Sequence, residues 1–261
     1  MRRPVILAAL CAAAVACGAG EVERVPYTTS PPTTTTTVAT TTTTTVPTTT
    51  TTTLLTAESL PEGTSLVLKA HGEVEVFASP GDPEPIRVLE ARTILDTPTV
   101  VTVLEGPLDG WARVMLPGRP NGSEGWVESD RFTEYVVDGS VVVDLSDRIL
   151  TYYERAEEIL STTVAIGTEG NPTPTGSFFV TDNVTLANPA SVWGPHALGL
   201  SARSDTITEF NGGDGIVGIH GTNRPASIGQ AASLGCVRVP NEVITRLHEL
   251  VEVGIPVEIR A

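Results

Sequence analysis

The chain has 261 residues, of which 40% are hydrophobic, and it carries a formal net charge of -15 with a pI near 4.6. This composition can fill one or two apolar cores, and the length allows about two domains. The excess of acidic side chains excludes an electrostatic surface for nucleic acid, which needs clustered Lys and Arg, and disfavours binding to anionic lipid head groups.

Residues 1–17 are predicted to be an export signal. The segment MRRPVILAALCAAAVAC begins with two arginines and continues in an apolar run that is too short to span a bilayer. Residues 14–18 (AVACG) resemble the lipobox of bacterial lipoproteins, which implies that Cys17 becomes the lipidated first residue of the mature chain. Cleavage near the same place without a lipid is the alternative. We expect an exported protein on the outer face of the cytoplasmic membrane or in the cell wall, attached to the membrane only through this lipid.

Residues 18–62 are predicted to be a disordered linker. Positions 28–53 are almost entirely Thr, with three prolines. Such a tract has too little apolar surface to offset the entropy of ordering the chain, so it is expected to act as an extended tether.

Residues 63–134 carry short strands separated by turn residues. The segments LVLKA, EVEVF, TVVTVLE, WARVML and EGWVES show partial apolar alternation and many β-branched residues. Residues 110–132, in which Trp111 and Trp126 each follow a glycine, resemble the bacterial type of Src-homology-three (SH3) barrel that often accompanies cell-wall enzymes. The strand pattern predicts a small antiparallel barrel. Both tryptophans are expected to be packing residues, with a role as ligand platforms as the alternative.

Residues 135–261 are predicted to form a second β-rich domain. VVVDLSDRILTYYE indicates a hairpin, while IVGIHG and SLGCVRV indicate buried strands. Near the end, VPNEVITRLHELVEVG indicates a helix that Asn241 caps and Gly254 ends, before a final strand. The fold class expected for the whole chain is mainly β.

Cys236 is the only cysteine of the sequence beyond the signal segment. Exported cysteines are normally paired in disulfides, so an unpaired one calls for another explanation. His220 ends an apolar strand sixteen residues upstream, and a thiol with a pKa of about 8.5 needs a neighbouring imidazole or similar group to ionise at neutral pH. We predict that two strand ends bring Cys236 and His220 together as nucleophile and base. A buried structural cysteine is the alternative.

Residues near this pair have chemistry that suits a substrate site. The N–H groups of Gly235 and Cys236 are candidates for binding an oxyanion. Arg238 lies two residues after Cys236 on the same strand face, where a guanidinium can hold a carboxylate. His196 is predicted to line the cleft from another loop, with a surface-loop role as the alternative, whereas His71 and His248 are expected to be structural. Cys236 has no second soft ligand at a zinc-binding spacing, so we expect no metal and no cofactor.

IHGTN at 219–223 and ASLGCVRVPN at 232–241 resemble the motif of the L,D-transpeptidase (YkuD-like) catalytic domain, and VVVDLSDRILTYY and PTPTGSFFVTD resemble its early strands. In that family a cysteine attacks the peptide bond between the third and fourth residues of a peptidoglycan stem, releasing D-Ala and leaving a thioester. An amine of a neighbouring stem then converts the thioester into a cross-link. The resemblance implies that Cys236 is the nucleophile and His220 the general base, oriented by the Gly221 carbonyl. It also implies that Ser233, Gly235 and Arg238 shape the acyl-donor site.

Leu234 departs from the family pattern, because a second histidine usually stands at that position. Two alternatives stay open, the first because of this departure and the second because it also pairs a barrel with a Cys-His site. One is a catalytically weak or silent peptidoglycan-binding protein. The other is an NlpC-type cysteine endopeptidase, in which the cysteine precedes the histidine and opens a helix. The expected partners are peptidoglycan stem peptides, as acyl donor and as amine acceptor, for a protein that acts as a monomer.

Overall fold

The computed structural model describes residues 55–210 and 213–261. The predicted signal segment 1–17, with Cys17, and the Thr-rich positions 28–53 lie outside the described residues. Those described belong to one compact unit, within which no helix is both long and apolar enough to cross a membrane.

An antiparallel sheet occupies the first part of the described chain. Its strands follow the order β6-β5-β4-β1-β7, and β2 and β3 form a separate antiparallel pair. In chain order these strands are β1 (Ser65–Ala70), β2 (Val74–Val76), β3 (Arg87–Leu89), β4 (Val100–Leu108), β5 (Trp111–Met115), β6 (Glu124–Glu128) and β7 (Phe132–Val137). The apolar alternation explains the sheet, since β5 buries Ala112 and Val114 while the residues between and beside them are more exposed. The closer likeness to an SH3 barrel over residues 63–134 stays a prediction.

A larger sheet follows and has eight strands in the order β10-β9-β8-β17-β12-β13-β14-β16. The strands of this region are β8 (Gly139–Asp144), β9 (Ile149–Glu154), β10 (Glu157–Thr163), β11 (Ile166–Gly167), β12 (Gly176–Thr185), β13 (His196–Arg203), β14 (Ile216–His220), β15 (Ala231–Ser233), β16 (Val237–Arg238) and β17 (Pro256–Arg260). The last strand, β17, is inserted between β8, to which it is parallel, and β12, to which it is antiparallel. The prediction of a mainly β fold is confirmed.

Helix α1 (Asn241–Leu250) packs on the large sheet through the buried side chains of Ile244 and Leu247. Its N-cap residue is Pro240, and no side chain caps it. The prediction that Asn241 caps the helix is therefore wrong, because its side chain is used elsewhere. The helix also ends before Gly254, whose φ of +95° belongs to the turn that leads into β17.

The two sheets share an apolar contact. Val67, Val100 and Val137 of the first sheet belong to the same buried cluster as the core of the larger sheet. A side chain at Gly254 would place its Cβ only 2.5 Å from Val67, so a glycine is needed where the sheets approach. Thr102 donates a hydrogen bond to the Gly254 carbonyl across this contact (2.8 Å). The proposed domain boundary at 134/135 falls within β7, and the larger sheet starts at β8.

Candidate active site

Cys236 and His220 are brought together by two adjacent parallel strands. In β14 and β16, Ile219 pairs with Val237 and His220 pairs with Arg238. Continuing this register by one residue places Cys236 opposite Gly218. Because residues two apart on a strand point to the same face, Cys236, His220 and Arg238 share one face. Strand spacing and rise put the Cα atoms of Cys236 and His220 about 8 Å apart on the diagonal.

The turn before Cys236 is held by the Ser233 hydroxyl. Ser233 Oγ donates to the Cys236 carbonyl (2.5 Å) and accepts from the Gly235 N–H (3.1 Å). Gly235 has a φ of +116°, which disfavours any other residue there. Since the Gly235 N–H already has a partner, the prediction that it binds an oxyanion is wrong. The Cys236 N–H has no hydrogen-bond partner among the described residues and is left as the candidate donor.

The His220 ring is oriented from its Nδ1 side. Nδ1 lies 2.6 Å from the Gly221 carbonyl oxygen, and because a carbonyl can only accept, Nδ1 carries the proton and Nε2 is the free base. The Trp193 ring packs against the imidazole, with 4.4 Å between their centroids. His220 therefore has one tautomer and a restricted ring position.

Asn241 holds the loop that follows His220. Its Oδ1 accepts the Thr222 N–H at 2.7 Å. A Cβ at Gly221 would lie only 2.4 Å from the same oxygen, so this packing requires a glycine. Through the Gly221–Thr222 backbone, Asn241 supports the carbonyl that orients His220.

Both reactive groups are held neutral at rest. Burial lowers the pKa of His220 to about 4, and the Arg238 charge lowers it further, whereas the hydrogen bond to the Gly221 carbonyl and the nearby Trp193 main chain oppose the shift. Burial raises the pKa of the Cys236 thiol, although a hydrogen bond with the Gly218 main chain and the Arg238 charge act in the other direction. The expected ionisation of the thiol by His220 at rest is therefore not met. These shifts favour a proton transfer that accompanies the attack of sulfur on substrate.

A cavity of about 200 Å³ opens over these residues, and we call it the thiol cavity. Cys236, His220, Ser233 and Arg238 all line it. Arg224, which is exposed, lies at the same cavity and adds a second guanidinium. Within residues 55–210 and 213–261, neither arginine side chain forms an ion pair or a hydrogen bond with the protein. The cavity thus combines a nucleophile, a base and two unpaired cations in a strongly acidic chain.

Leu234 also lines the thiol cavity and is 54% exposed. It lies in the turn between β15 and β16, next to Gly235 and Cys236. An exposed aliphatic side chain there adds an apolar edge to the cavity and provides no hydrogen-bond donor.

His196 lies away from the thiol cavity, so its predicted place in the cleft is wrong. In the β13–β14 pair it is Ala197 that lies opposite His220, which turns His196 to the other face of the sheet. Its ring stacks on His248, with 4.0 Å between the centroids, and its Nδ1 lies 3.2 Å from Thr185 Oγ1. The alternation of side chains along β13 predicts the orientation of His196 only when the pairing of β13 with β14 is known.

Two residues of the site were not singled out for these roles from the sequence. Trp193 gives the ring that packs on His220, and Asn241 gives the oxygen that holds Thr222. A tryptophan between small and turn-forming residues was a weak signal for Trp193. For Asn241, the neighbouring sequence does not show whether the side chain caps the helix or accepts a hydrogen bond from the loop after His220.

A family model and two curated relatives match part of the chain. Residues 138–259 match the family model of the L,D-transpeptidase catalytic domain, YkuD. The YkuD protein of Bacillus licheniformis, whose name assigns it as an L,D-transpeptidase, is 34% identical over 119 residues, or 46% of this chain and 64% of that protein. The correspondingly named protein of Bacillus subtilis is 28% identical over 156 residues, or 60% of this chain and 79% of its own length. The chain thus spans less than two thirds of the first of these relatives.

A solved structure of an L,D-transpeptidase from Mycobacterium smegmatis is 16% identical and has a TM-score of 0.39, covering 63% of this chain and 92% of that one. The matched family segment contains Cys236, His220 and Arg238, and it begins at the boundary between the two sheets.

Proposed function

We propose that the protein is a peptidoglycan L,D-transpeptidase that forms cross-links through a thioester on Cys236. The observation that carries the proposal is that Cys236, His220 and Arg238 lie on one face of the sheet over one cavity, within a stretch that matches the L,D-transpeptidase catalytic domain. The acyl donor is a stem peptide, and an amine of a second stem is the acceptor. Export and lipid attachment at Cys17 belong to the same proposal and rest on the sequence.

Acylation begins with neutral partners. The sulfur of Cys236 attacks the carbonyl carbon of the scissile peptide bond while its proton passes to Nε2 of His220. The developing oxyanion accepts a hydrogen bond from the Cys236 N–H. The tetrahedral intermediate then collapses, the C–N bond breaks, and the departing amine takes the proton from His220. Arg238 and Arg224 bind carboxylates of the donor.

Deacylation reverses the direction of proton flow. The neutral amine of the acceptor attacks the thioester carbonyl carbon and gives up a proton through His220. The C–S bond then breaks, and Cys236 leaves as a thiol. The products are the cross-linked peptide and free enzyme.

The rival functions differ from this one in features of the chain. Cys236 lies just before strand β16 and follows His220 in sequence, whereas an NlpC-type endopeptidase has its cysteine first and at the start of a helix. The alternative of a catalytically silent binding protein rests only on Leu234, which stands where the family usually has a second histidine. The free nucleophile and base at one cavity favour an enzyme over that alternative.

The test is product analysis by mass spectrometry with defined muropeptides. The wild-type protein should show an acyl-enzyme at Cys236 and an L,D-cross-linked dimer. Cys236→Ala should show neither, and His220→Ala should acylate at least about a hundredfold more slowly, because the general base is lost. Binding of muropeptides without any acyl-enzyme would instead identify a silent wall-binding protein. Hydrolysis within the stem without dimer formation would identify an endopeptidase.

A further inference from the structure

A second cavity of about 250 Å³ lies beside the thiol cavity. The two cavities share Trp193, Phe210, Ile216 and His220 as lining residues. His220 therefore faces both spaces, and a group in the second cavity is next to the general base. We call this space the second cavity.

The loop that leads into the first sheet contributes part of the wall of the second cavity. Ile94 and Leu95, in the loop of residues 92–98 between β3 and β4, line it together with side chains of the larger sheet. Ile94 is 66% exposed and Leu95 is 46% exposed. Two adjacent exposed aliphatic side chains at a cavity mark a contact surface for an apolar group.

Hydrogen bonds fix the 92–98 loop beside the second cavity. Thr93 Oγ1 donates a hydrogen bond to Asp182 of β12, whose side chain is buried and also accepts from Thr181 (2.8 Å). Within the loop, the Thr93 N–H donates to the Thr97 carbonyl at 2.8 Å. These contacts hold Ile94 and Leu95 against the larger sheet.

A second brace connects the first sheet with the border of the thiol cavity. Arg119, in the turn between β5 and β6, donates to the carbonyls of Ser204 (2.6 Å) and Ile207 (3.1 Å). Both of those residues line the thiol cavity. The first sheet therefore supports the site at two places.

The two cavities differ in charge. The thiol cavity has Arg224 and Arg238, whereas the lining of the second cavity within the described part of the chain includes no Lys, Arg, Asp or Glu. An apolar space disfavours the ammonium form of an amine relative to the neutral form. Only the neutral amine has the lone pair that attacks a thioester.

We infer that the second cavity binds the aliphatic part of the acceptor amine and that Ile94 and Leu95 of the 92–98 loop determine how well that part is bound. The inference rests on the proposed function and adds the place where the aliphatic chain of the acceptor binds. In the step concerned, the amine nitrogen forms the new C–N bond, the C–S bond to Cys236 breaks, and the amine proton leaves through His220. The first sheet is then a functional part of the acyl-transfer site.

The test uses primary alkylamines as acceptor probes. The Cys236 acyl-enzyme is formed with a tetrapeptide donor, and methylamine, n-butylamine and n-hexylamine compete with water for it. These amines have nearly equal basicity, so the ratio of amide to hydrolysis product reports binding of the alkyl chain and is independent of the rate of acylation. In the wild type this ratio should rise by up to about fourfold for each methylene that is buried.

The double variant Ile94→Ser/Leu95→Ser should reduce this dependence to less than about twofold per methylene, because the apolar wall is lost. Ile86→Ser is the matched control, since Ile86 is a 57% exposed isoleucine of the same region that lines neither cavity. It should retain the wild-type dependence. Thermal unfolding of all three proteins checks that they are folded.

Two outcomes would overturn the inference. A normal acyl-enzyme whose aminolysis does not depend on chain length, or depends on it equally in the wild type and the double variant, removes the second cavity as an acceptor site and leaves the proposed function intact. Failure of the wild type to form any acyl-enzyme at Cys236 refutes the proposed function, and the inference with it.

Discussion

Burial of neutral His220 should make the stability of this protein depend on pH in a defined window. The pKa of His220 is lowered from 6.5 to about 4 in the folded protein, and the side chain is 4% exposed. Between these two pH values the unfolded chain binds a proton that the folded chain does not bind. The free energy of unfolding therefore has its full value above pH 6.5 and falls as the pH decreases toward 4.

The size of the effect follows from the two pKa values. A difference of about 2.5 units corresponds to roughly 3.4 kcal/mol when the pH is below both values. The linkage relation gives a loss of about 2 kcal/mol at pH 5 and about 3 kcal/mol at pH 4. This is a large fraction of the 5–15 kcal/mol that is typical for a folded domain.

Urea unfolding between pH 8 and pH 4 measures this loss. His220→Gln is the reference, because its amide does not titrate and every other ionisable group is retained. The difference in free energy of unfolding between wild type and variant should change by about 3 kcal/mol from pH 8 to pH 4. Fluorescence and circular dichroism transitions have to coincide for a two-state treatment. Parallel curves for the two proteins would refute the assignment of a buried, neutral imidazole.

Two further predictions concern Leu234 and Asn241, which lie near the reactive pair. Leu234→Ala should lower the rate of Cys236 acylation less than about tenfold, because the exposed leucine gives no hydrogen-bond donor; a loss above about a hundredfold in a folded variant would show that Leu234 positions Cys236. Asn241→Ala should destabilise the protein by about 1–2 kcal/mol and slow acylation about tenfold, since the Thr222 N–H loses its acceptor and the Gly221 carbonyl loses support. Asn241→Asp keeps an oxygen acceptor and should recover most of both losses, as measured by urea unfolding and by intact mass; no recovery would contradict the role of that oxygen.

Much of the site's chemistry could be predicted from residues close together in sequence. An unpaired cysteine beyond a predicted export signal, a histidine that ends an apolar strand and an arginine two residues after the cysteine are local features of the sequence. Local alternation also predicted the mainly β fold, because apolar residues at every second position indicate which strand face is buried. These predictions need no knowledge of which strand lies beside which.

Other features depend on the pairing of distant strands. The registers of β13, β14 and β16 place Cys236 and His220 on one face and turn His196 to the other. Local sequence contains no information about this register, since a shift of one residue exchanges the two faces of a strand.

The remaining differences between prediction and structure arise from the hydrogen-bond partners and the burial that residues acquire in the folded protein. Asn241 is a residue type that is common at helix caps, yet its side-chain oxygen accepts the Thr222 N–H. The Gly235 N–H, which was expected to bind an oxyanion, donates to Ser233 Oγ. Burial by segments far apart in sequence keeps both His220 and Cys236 neutral. The 92–98 loop is held at the second cavity by the hydrogen bond from Thr93 to Asp182, 89 residues later. The sequence by itself therefore determined the fold class and the candidate groups, whereas tertiary packing decided their protonation, their hydrogen-bond partners and the walls around them, because each of these depends on contacts between residues far apart in the chain.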